Sequence, residues 1–197
     1  KNFKQKRLPK EIKIKEPSNK NKITHETRKI LHSYLVLGYK TNGYNEDFYT
    51  LEVIRSILGR GQSGRLFNEI RGKRGLAYSV GVSHDIGLNY GYFAVHVGMD
   101  KKNISLVKKL ILKELKNLKH IKEEDIKDAK TFLEGNFIVE NEDNRKEAIT
   151  LAKWEMLKDF SLQKEYIKKI NKVTKKDILS IVHKYLNDEY TLITIQS

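Results

Sequence analysis

The 197-residue sequence contains no cysteine, only two prolines and a single tryptophan. Without cysteine the chain can form no disulfide, no thiolate zinc site and no cysteine-protease nucleophile. It also lacks any stretch approaching the roughly 18 consecutive apolar residues of a membrane helix, so we expect no membrane span. No apolar run follows the first residues, which predicts no signal peptide and a cytoplasmic location. Because the sequence starts at Lys1 and not at Met, we expect a fragment, an excised domain or a processed product.

The charge is strongly basic but unevenly distributed. The net charge is +14 at pH 7, and between Lys1 and Lys22 nine Lys/Arg face two Glu. The other 175 residues therefore carry only +7. A basic tail on a mildly basic body is not a nucleic-acid groove, and most of the cations are Lys, not the Arg that reads bases bidentately. We expect no nucleic-acid partner; a steep salt dependence of binding would support the alternative of a basic nucleic-acid or membrane-surface module.

Apolar periodicity predicts a single folded domain behind a tail. Residues 1–25 are polar and rich in lysine, and they hold Pro9 and Pro17, which indicates a linker or N-terminal extension with a possible extended piece at 10–14. Residues 26–197 form the domain. Its spacing predicts strands over 30–39, 76–83, 90–98 and 190–195, and helices over 46–58, 63–73, 104–118, 123–140, 144–158, 162–171 and 175–186. Long helices segregated from a mainly antiparallel sheet are typical of the α+β class.

Several partial motifs are rejected on their context. Gly59, Gly61 and Gly64 match the dinucleotide-binding pattern G-x-G-x-x-G, but that motif needs a strand before it, and here a helix is predicted. The six histidines include no pair one helical turn apart, and His120 begins only a near miss of H-x-x-E-H. Ser63 is not in G-x-S-x-G. We therefore propose no metal, cofactor or nucleophile site in this chain.

The stretch from Leu58 to Val80 is the most informative part of the sequence. It reads as a helix end, a glycine-rich break, "SGRLFNEIR" over 63–71, a short turn, and "GLAYSV" over 75–80. This pattern closely resembles the C-terminal, zinc-free half of pitrilysin-type (insulinase) zinc metallopeptidases, which include the mitochondrial processing peptidases. Gly64 departs from the family's usual second Ser. The resemblance covers nearly the whole chain after the linker, so 26–197 is identified as one such half-domain.

The resemblance implies a mechanism shared with a partner. In this family two halves close like a clam around a peptide or unfolded polypeptide, and zinc lies in the N-terminal H-x-x-E-H half, fused or separate. The C-terminal half contributes an Arg and a Tyr that hydrogen-bond the substrate near the scissile carbonyl; by motif position these are Arg71 and Tyr78. The resemblance thus implies a homo- or heterodimer that is inactive as this chain alone. A non-catalytic structural or assembly subunit of the same family is the alternative.

The residues themselves leave simpler alternatives open for both positions. Tyr78 shares a predicted strand face with Leu76, Val80 and Val82, so it could be a core aromatic. Arg71 could be a solvated cation at a helix C-terminus, where the helix dipole favours positive charge. The strand over 90–98 could line the chamber, but its spacing does not indicate which face points inward.

Overall fold

The computed structural model describes residues 22–196, which form one mixed five-stranded sheet covered by helices. The sheet has the order β1-β5-β2-β4-β3, with β1 at Lys22–Thr27, β2 at Ser33–Thr41, β3 at Ala77–Ile86, β4 at Gly91–Met99 and β5 at Thr191–Gln196. Only β1 and β5 pair in parallel. The predicted α+β class with a mainly antiparallel sheet is confirmed.

The predicted helices are found within a few residues of their expected bounds. They are α1 Asp47–Gly59, α2 Arg65–Phe67, α3 Ile104–Asn117, α4 Glu123–Asn141, α5 Asn144–Leu157, α6 Leu162–Lys172 and α7 Lys175–Tyr185. The helix predicted over 63–73 is a composite, because α2 passes directly into a π-helical turn, Asn68–Gly72. Within residues 22–196, no helix is both long and apolar enough to cross a membrane.

The core lies between one face of the sheet and the helices. In β2, Leu35, Leu37 and Tyr39 are buried while Tyr34 and Val36 are exposed, as the period-two alternation predicts. Helix α1 packs against β3, α4, α6 and α7 and buries most of its own residues. The sheet therefore has a covered face and an open face, and the open face presents the side chains of Tyr34 and Val36.

The start of α7 is closed by a reciprocal cap between Thr174 and Asp177. The Thr174 hydroxyl accepts a hydrogen bond from the Asp177 amide at 3.2 Å, and the Asp177 carboxylate accepts one from the Thr174 amide at 2.8 Å. Two of the unpaired backbone donors at a helix N-terminus are satisfied in this way.

The ends of several strands differ from expectation. The strand predicted over 30–39 begins at Ser33, and Leu31 is 91% exposed. The strand predicted to end at residue 83 continues to Ile86, which pairs with Gly91. The predicted boundary at residue 25 lies inside β1, where His25 pairs with Thr194. The extended piece predicted at 10–14 lies outside the described residues.

Gly59 marks a close approach of α1 to β3 that can be tested by substitution. A Cβ atom added there would lie 2.7 Å from Val82 Cβ and 3.3 Å from the Val82 backbone nitrogen, so the strand itself would have to shift. We expect Gly59→Ala to lower the free energy of unfolding by about 1–3 kcal/mol. Gly135, in α4, is the matched control: no heavy atom lies within 4 Å of its added Cβ.

We expect Gly135→Ala to raise the free energy of unfolding by about 0.5–1 kcal/mol, since alanine restricts the unfolded chain and favours the helix. Urea denaturation of both variants measures the difference. Equal stability of the two variants would contradict the close packing of α1 on β3.

Candidate functional site

The turn between the π-helical segment and β3 fixes the position of Arg71. The buried side chain of Ile70 anchors the turn in the core, while Arg71 is exposed beside it. The Gly75 amide donates to the Arg71 carbonyl at 2.9 Å, and the Leu76 amide donates to the Ile70 carbonyl at 3.0 Å. Gly75 has φ +60°, a conformation that costs an L-residue about 1–2 kcal/mol. The chain can therefore reverse sharply and enter β3 directly after Arg71.

A β-bulge at the start of β3 turns Tyr78 away from the core. Ala77 pairs with Met99 and Ser79 pairs with Gly98, so Tyr78 is the extra residue of the bulge. Strict alternation would place Tyr78 on the face of Val80, which packs against the core. Instead Tyr78 is 51% exposed. The alternative that Tyr78 is a core aromatic is therefore wrong.

Arg71 and Tyr78 are in direct contact, although seven positions separate them. Arg71 Nη1 donates a 2.6 Å hydrogen bond to the Tyr78 carbonyl oxygen. The guanidinium also lies over the ring of Phe67, 5.4 Å from its centroid, in a cation–π arrangement. The structure thus brings together the two residues that the sequence motif singled out.

The charge of Arg71 is not neutralised within the turn. Its neighbours Lys73 and Arg74 both form ion pairs with Glu69. These two cations hydrogen-bond the Glu69 carboxylate and lower its pKa. Across residues 22–196, Arg71 has no carboxylate partner. A guanidinium has five donors, so most of those on Arg71 are available to another molecule.

Two further residues hold the side chain of Tyr78. Its hydroxyl donates to Asp100 Oδ1 at 2.6 Å, and the hydrogen bond to this carboxylate raises the pKa of the phenol. Its ring lies 4.3 Å, centroid to centroid, from the imidazole of His32. His32 Nδ1 is buried and has no hydrogen-bond partner among residues 22–196. Tyr78 is therefore fixed at both its ring and its hydroxyl.

These residues lie at one corner of the open sheet face. His32 precedes β2, Asp100 follows β4, and Tyr78 is near the start of β3. The rest of this face is partly apolar, with Tyr34, Val36 and Ile193 each 39–50% exposed. In β4, Phe93, Val95 and Val97 are buried while His96 is exposed, which settles which side of this strand faces outward.

Sequence reasoning missed Asp100 and His32. Both meet Tyr78 only because the β3–β4 hairpin closes in its observed register and the bulge moves the phenol outward. The register of the hairpin could have been predicted from the sequence, since Gly87 and Asn89 mark the turn. The bulge has no signal in the sequence that we can identify.

The structure also places the residues that the sequence excluded from chemistry. The stretch 59–64 begins at the end of helix α1, so a helix precedes it, as predicted. His120 lies in a 3-10 turn immediately before α4. In the part of the chain that the structure describes, no three His, Asp or Glu side chains are grouped to hold a metal ion.

Comparison with known proteins agrees with this architecture. The family model described as "Peptidase M16 inactive domain" matches residues 1–133. An uncharacterized zinc protease of Mycobacterium leprae is 30% identical over 162 residues, covering 80% of this chain and 36% of that protein. A Helicobacter pylori protein named as a non-peptidase homolog is 29% identical over 113 residues, covering 55% of this chain and 26% of its own.

A solved structure shares the fold of this chain. The crystal structure of a Helicobacter pylori protease matches with a TM-score of 0.86 at 20% identity, covering 100% of this chain and 49% of that one. The chain thus spans less than half the length of each of these relatives. On the family match over residues 1–133, the chain belongs to the peptidase M16 (pitrilysin) family and is an inactive, C-terminal domain of that family.

Proposed function

We propose that this chain is the substrate-binding, oxyanion-stabilising half of a clam-shaped zinc metalloendopeptidase that acts on peptides or unfolded polypeptides. In this proposal Arg71 and Tyr78 hydrogen-bond the substrate beside the scissile carbonyl. The observation that carries the proposal is the 2.6 Å hydrogen bond from Arg71 Nη1 to the Tyr78 carbonyl oxygen. It holds a guanidinium that has no carboxylate partner among residues 22–196 next to the residue that carries the exposed phenol. Conversion of a carbonyl to an oxyanion places negative charge where such donors stabilise it.

The two side chains have complementary roles. Arg71 offers a permanent charge and a fixed fork of donors, while Tyr78 offers a single neutral O–H donor. Removal of one donor of this kind typically lowers kcat about 10²–10³-fold. Zinc, expected in the partner half, would supply an activated water for attack on the carbonyl.

The open sheet face supports the requirement for a partner half. Tyr34, Val36 and Ile193 leave apolar surface exposed on the side where Tyr78 lies. A zinc-bearing half that closes over this face would bury these side chains and bring substrate to Arg71. We predict that the zinc-bearing half is either fused to this chain or a separate subunit. A homo- or heterodimeric assembly and a likeness to the processing peptidases also stay predictions.

Reconstitution with a zinc-bearing half tests the proposed function. A mixture of quenched-fluorescence peptides is incubated with zinc and this chain, with zinc and a candidate H-x-x-E-H half, and with zinc and both polypeptides. We expect hydrolysis at a substantial rate only when both halves are present, and its loss when zinc is chelated. Hydrolysis by this chain alone would contradict the proposal.

A non-catalytic assembly subunit is the competing function. The Helicobacter pylori relative named as a non-peptidase homolog favours it, since that name denies peptidase activity to a protein similar to this chain over 113 residues. The same experiment separates the two. Stable association of the halves without hydrolysis would support the assembly function and overturn the peptidase proposal.

A further inference from the structure

The hydroxyl proton of Tyr78 is already committed within the chain. A phenol has one proton to donate, and here it is donated to Asp100 Oδ1 at 2.6 Å. A hydrogen bond to a carboxylate is charge-assisted and about twice as strong as one between neutral groups. While this bond exists, Tyr78 cannot donate to a substrate oxygen.

Arg71 is not limited in the same way. One of its donors, Nη1, is used on the Tyr78 carbonyl, and the fork retains donors for another molecule. Substrate could therefore meet Arg71 without rearrangement of the turn. Of the two proposed substrate-binding side chains, Arg71 has donors available for substrate and Tyr78 has none, because Asp100 accepts the only proton of the phenol.

We propose that Asp100 is a positioning residue that holds Tyr78 in a resting orientation, and that Tyr78 must exchange Asp100 for the substrate oxygen before it assists the reaction. This inference rests on the proposed function and deepens it. The exchange needs no movement of the ring, which stays against His32, because the hydroxyl can redirect its proton by rotation about the Cζ–O bond. Asp100 is only partly buried, so water can replace the phenol at its carboxylate.

Replacement of Asp100 by asparagine weakens the hydrogen bond that holds Tyr78 without disturbing the fold. Asn keeps the shape and an acceptor oxygen, but it removes the negative charge that strengthens the resting hydrogen bond. The cap on the following turn uses the Asp100 carbonyl, to which the Asn103 amide donates at 2.9 Å, and it is unchanged in the variant. In the assembled peptidase we expect Asp100→Asn to raise kcat roughly threefold to tenfold.

The same hairpin offers a matched control. At its other end Asp85 hydrogen-bonds Tyr92 on the neighbouring strand, and this bond likewise raises the pKa of the phenol. Asp85→Asn therefore removes an equivalent phenol–carboxylate interaction far along the strand from Arg71. We expect kcat to be unchanged in this variant, so that a gain specific to Asp100→Asn cannot be a general effect of lost acidic charge.

Titration of the isolated chain gives a readout that does not depend on activity. In a sample isotopically labelled at tyrosine Cζ, the NMR signal of Tyr78 is identified because it is absent from the Tyr78→Phe variant. The carboxylate raises the pKa of Tyr78 from its ordinary 10.0, so Asp100→Asn should move this pKa back down while Asp85→Asn leaves it in place. No movement in Asp100→Asn would overturn the inferred resting bond.

A double-mutant cycle distinguishes failure of this inference from failure of the proposed function. We expect Asp100→Asn to have no effect on kcat in a Tyr78→Phe background, because the two residues act through one hydrogen bond. If Tyr78→Phe lowers kcat and Asp100→Asn lowers it equally, the Asp100 carboxylate is required for the reaction. The inference that Asp100 holds Tyr78 in a resting orientation would then be wrong. If Tyr78→Phe itself leaves kcat unchanged, the role proposed for Tyr78 is wrong.

Discussion

Arg71→Ala should lower kcat of the assembled peptidase about 10²–10³-fold while leaving the fold intact. The guanidinium is exposed, packs on Phe67 and has no carboxylate partner among residues 22–196, so its removal leaves no buried charge unpaired. The proposed interaction is strongest once the oxyanion has formed. The loss should therefore fall on kcat more than on KM, as it does for a contact made in the transition state.

Arg74→Ala is the matched control for Arg71→Ala. Arg74 carries the same charge on the same turn, but it is paired with Glu69 and points to that carboxylate. Steady-state kinetics on one quenched-fluorescence peptide, with thermal melting of each variant, compares the two. We expect little change for Arg74→Ala; an equal fall in both variants would indicate a general effect of positive charge and would contradict a specific role for Arg71.

Arg71→Lys refines the same prediction. Lysine keeps the charge but replaces the planar fork by a single ammonium on a flexible stem. If Arg71 acts by its fixed geometry, this variant should recover only part of the lost activity. Full recovery would mean that charge alone is sufficient.

Much of the fold could be predicted because its elements have a clear period. The buried series Leu51, Ile54 and Leu58 in α1 follows helical spacing, and the buried series in β2 alternates strictly. β1 has no such signal: all six of its residues are exposed, and it is ordered by parallel pairing with β5. Its local sequence cannot reveal a partner that lies about 170 positions away.

The candidate site was less accessible to sequence reasoning than the fold. Arg71 and Tyr78 were found through the family motif, whereas spacing alone placed Tyr78 on a core face. The bulge reverses that placement by adding one residue to β3 opposite Met99 and Gly98. The hydrogen bond to Asp100 depends on this bulge, so a prediction that assumes strict alternation misses it. The same holds for the buried Glu52, whose partner His84 is apparent only after α1 and β3 have packed.

Glu52, on the buried face of α1, is the centre of an internal charged cluster. Its carboxylate accepts hydrogen bonds from Arg55 Nη2 at 2.8 Å and Nε at 3.0 Å, and lies 3.0 Å from His84 Nδ1. The His84 side chain is fully buried, and its Nε2 has no hydrogen-bond partner in the described part of the chain. Burial by itself would raise the pKa of Glu52, but the hydrogen bonds from His84 and Arg55 outweigh it and hold the pKa below its ordinary value.

Glu52→Ala should lower the free energy of unfolding by about 3 kcal/mol, the lower end of the range for breaking a buried ion pair. The lower end applies because the Arg55 side chain retains 28% of its exposure and can turn toward water, whereas His84 cannot. Urea denaturation at neutral pH measures the change. Glu26→Ala is the control, since Glu26 is paired with Arg28 at the surface, where such pairs contribute about 0–1 kcal/mol.

The stability that Glu52 contributes should also depend on pH. Because its pKa is lower in the folded chain than the ordinary 4.5, this contribution is complete above that value and is lost as the pH falls through the folded pKa. The difference in unfolding free energy between the wild-type chain and Glu52→Gln should therefore be constant near neutral pH and shrink steadily below pH 4.5. A difference that grows on acidification would mean that the folded chain holds Glu52 in its protonated form, and the cluster with Arg55 and His84 would not be an ion pair.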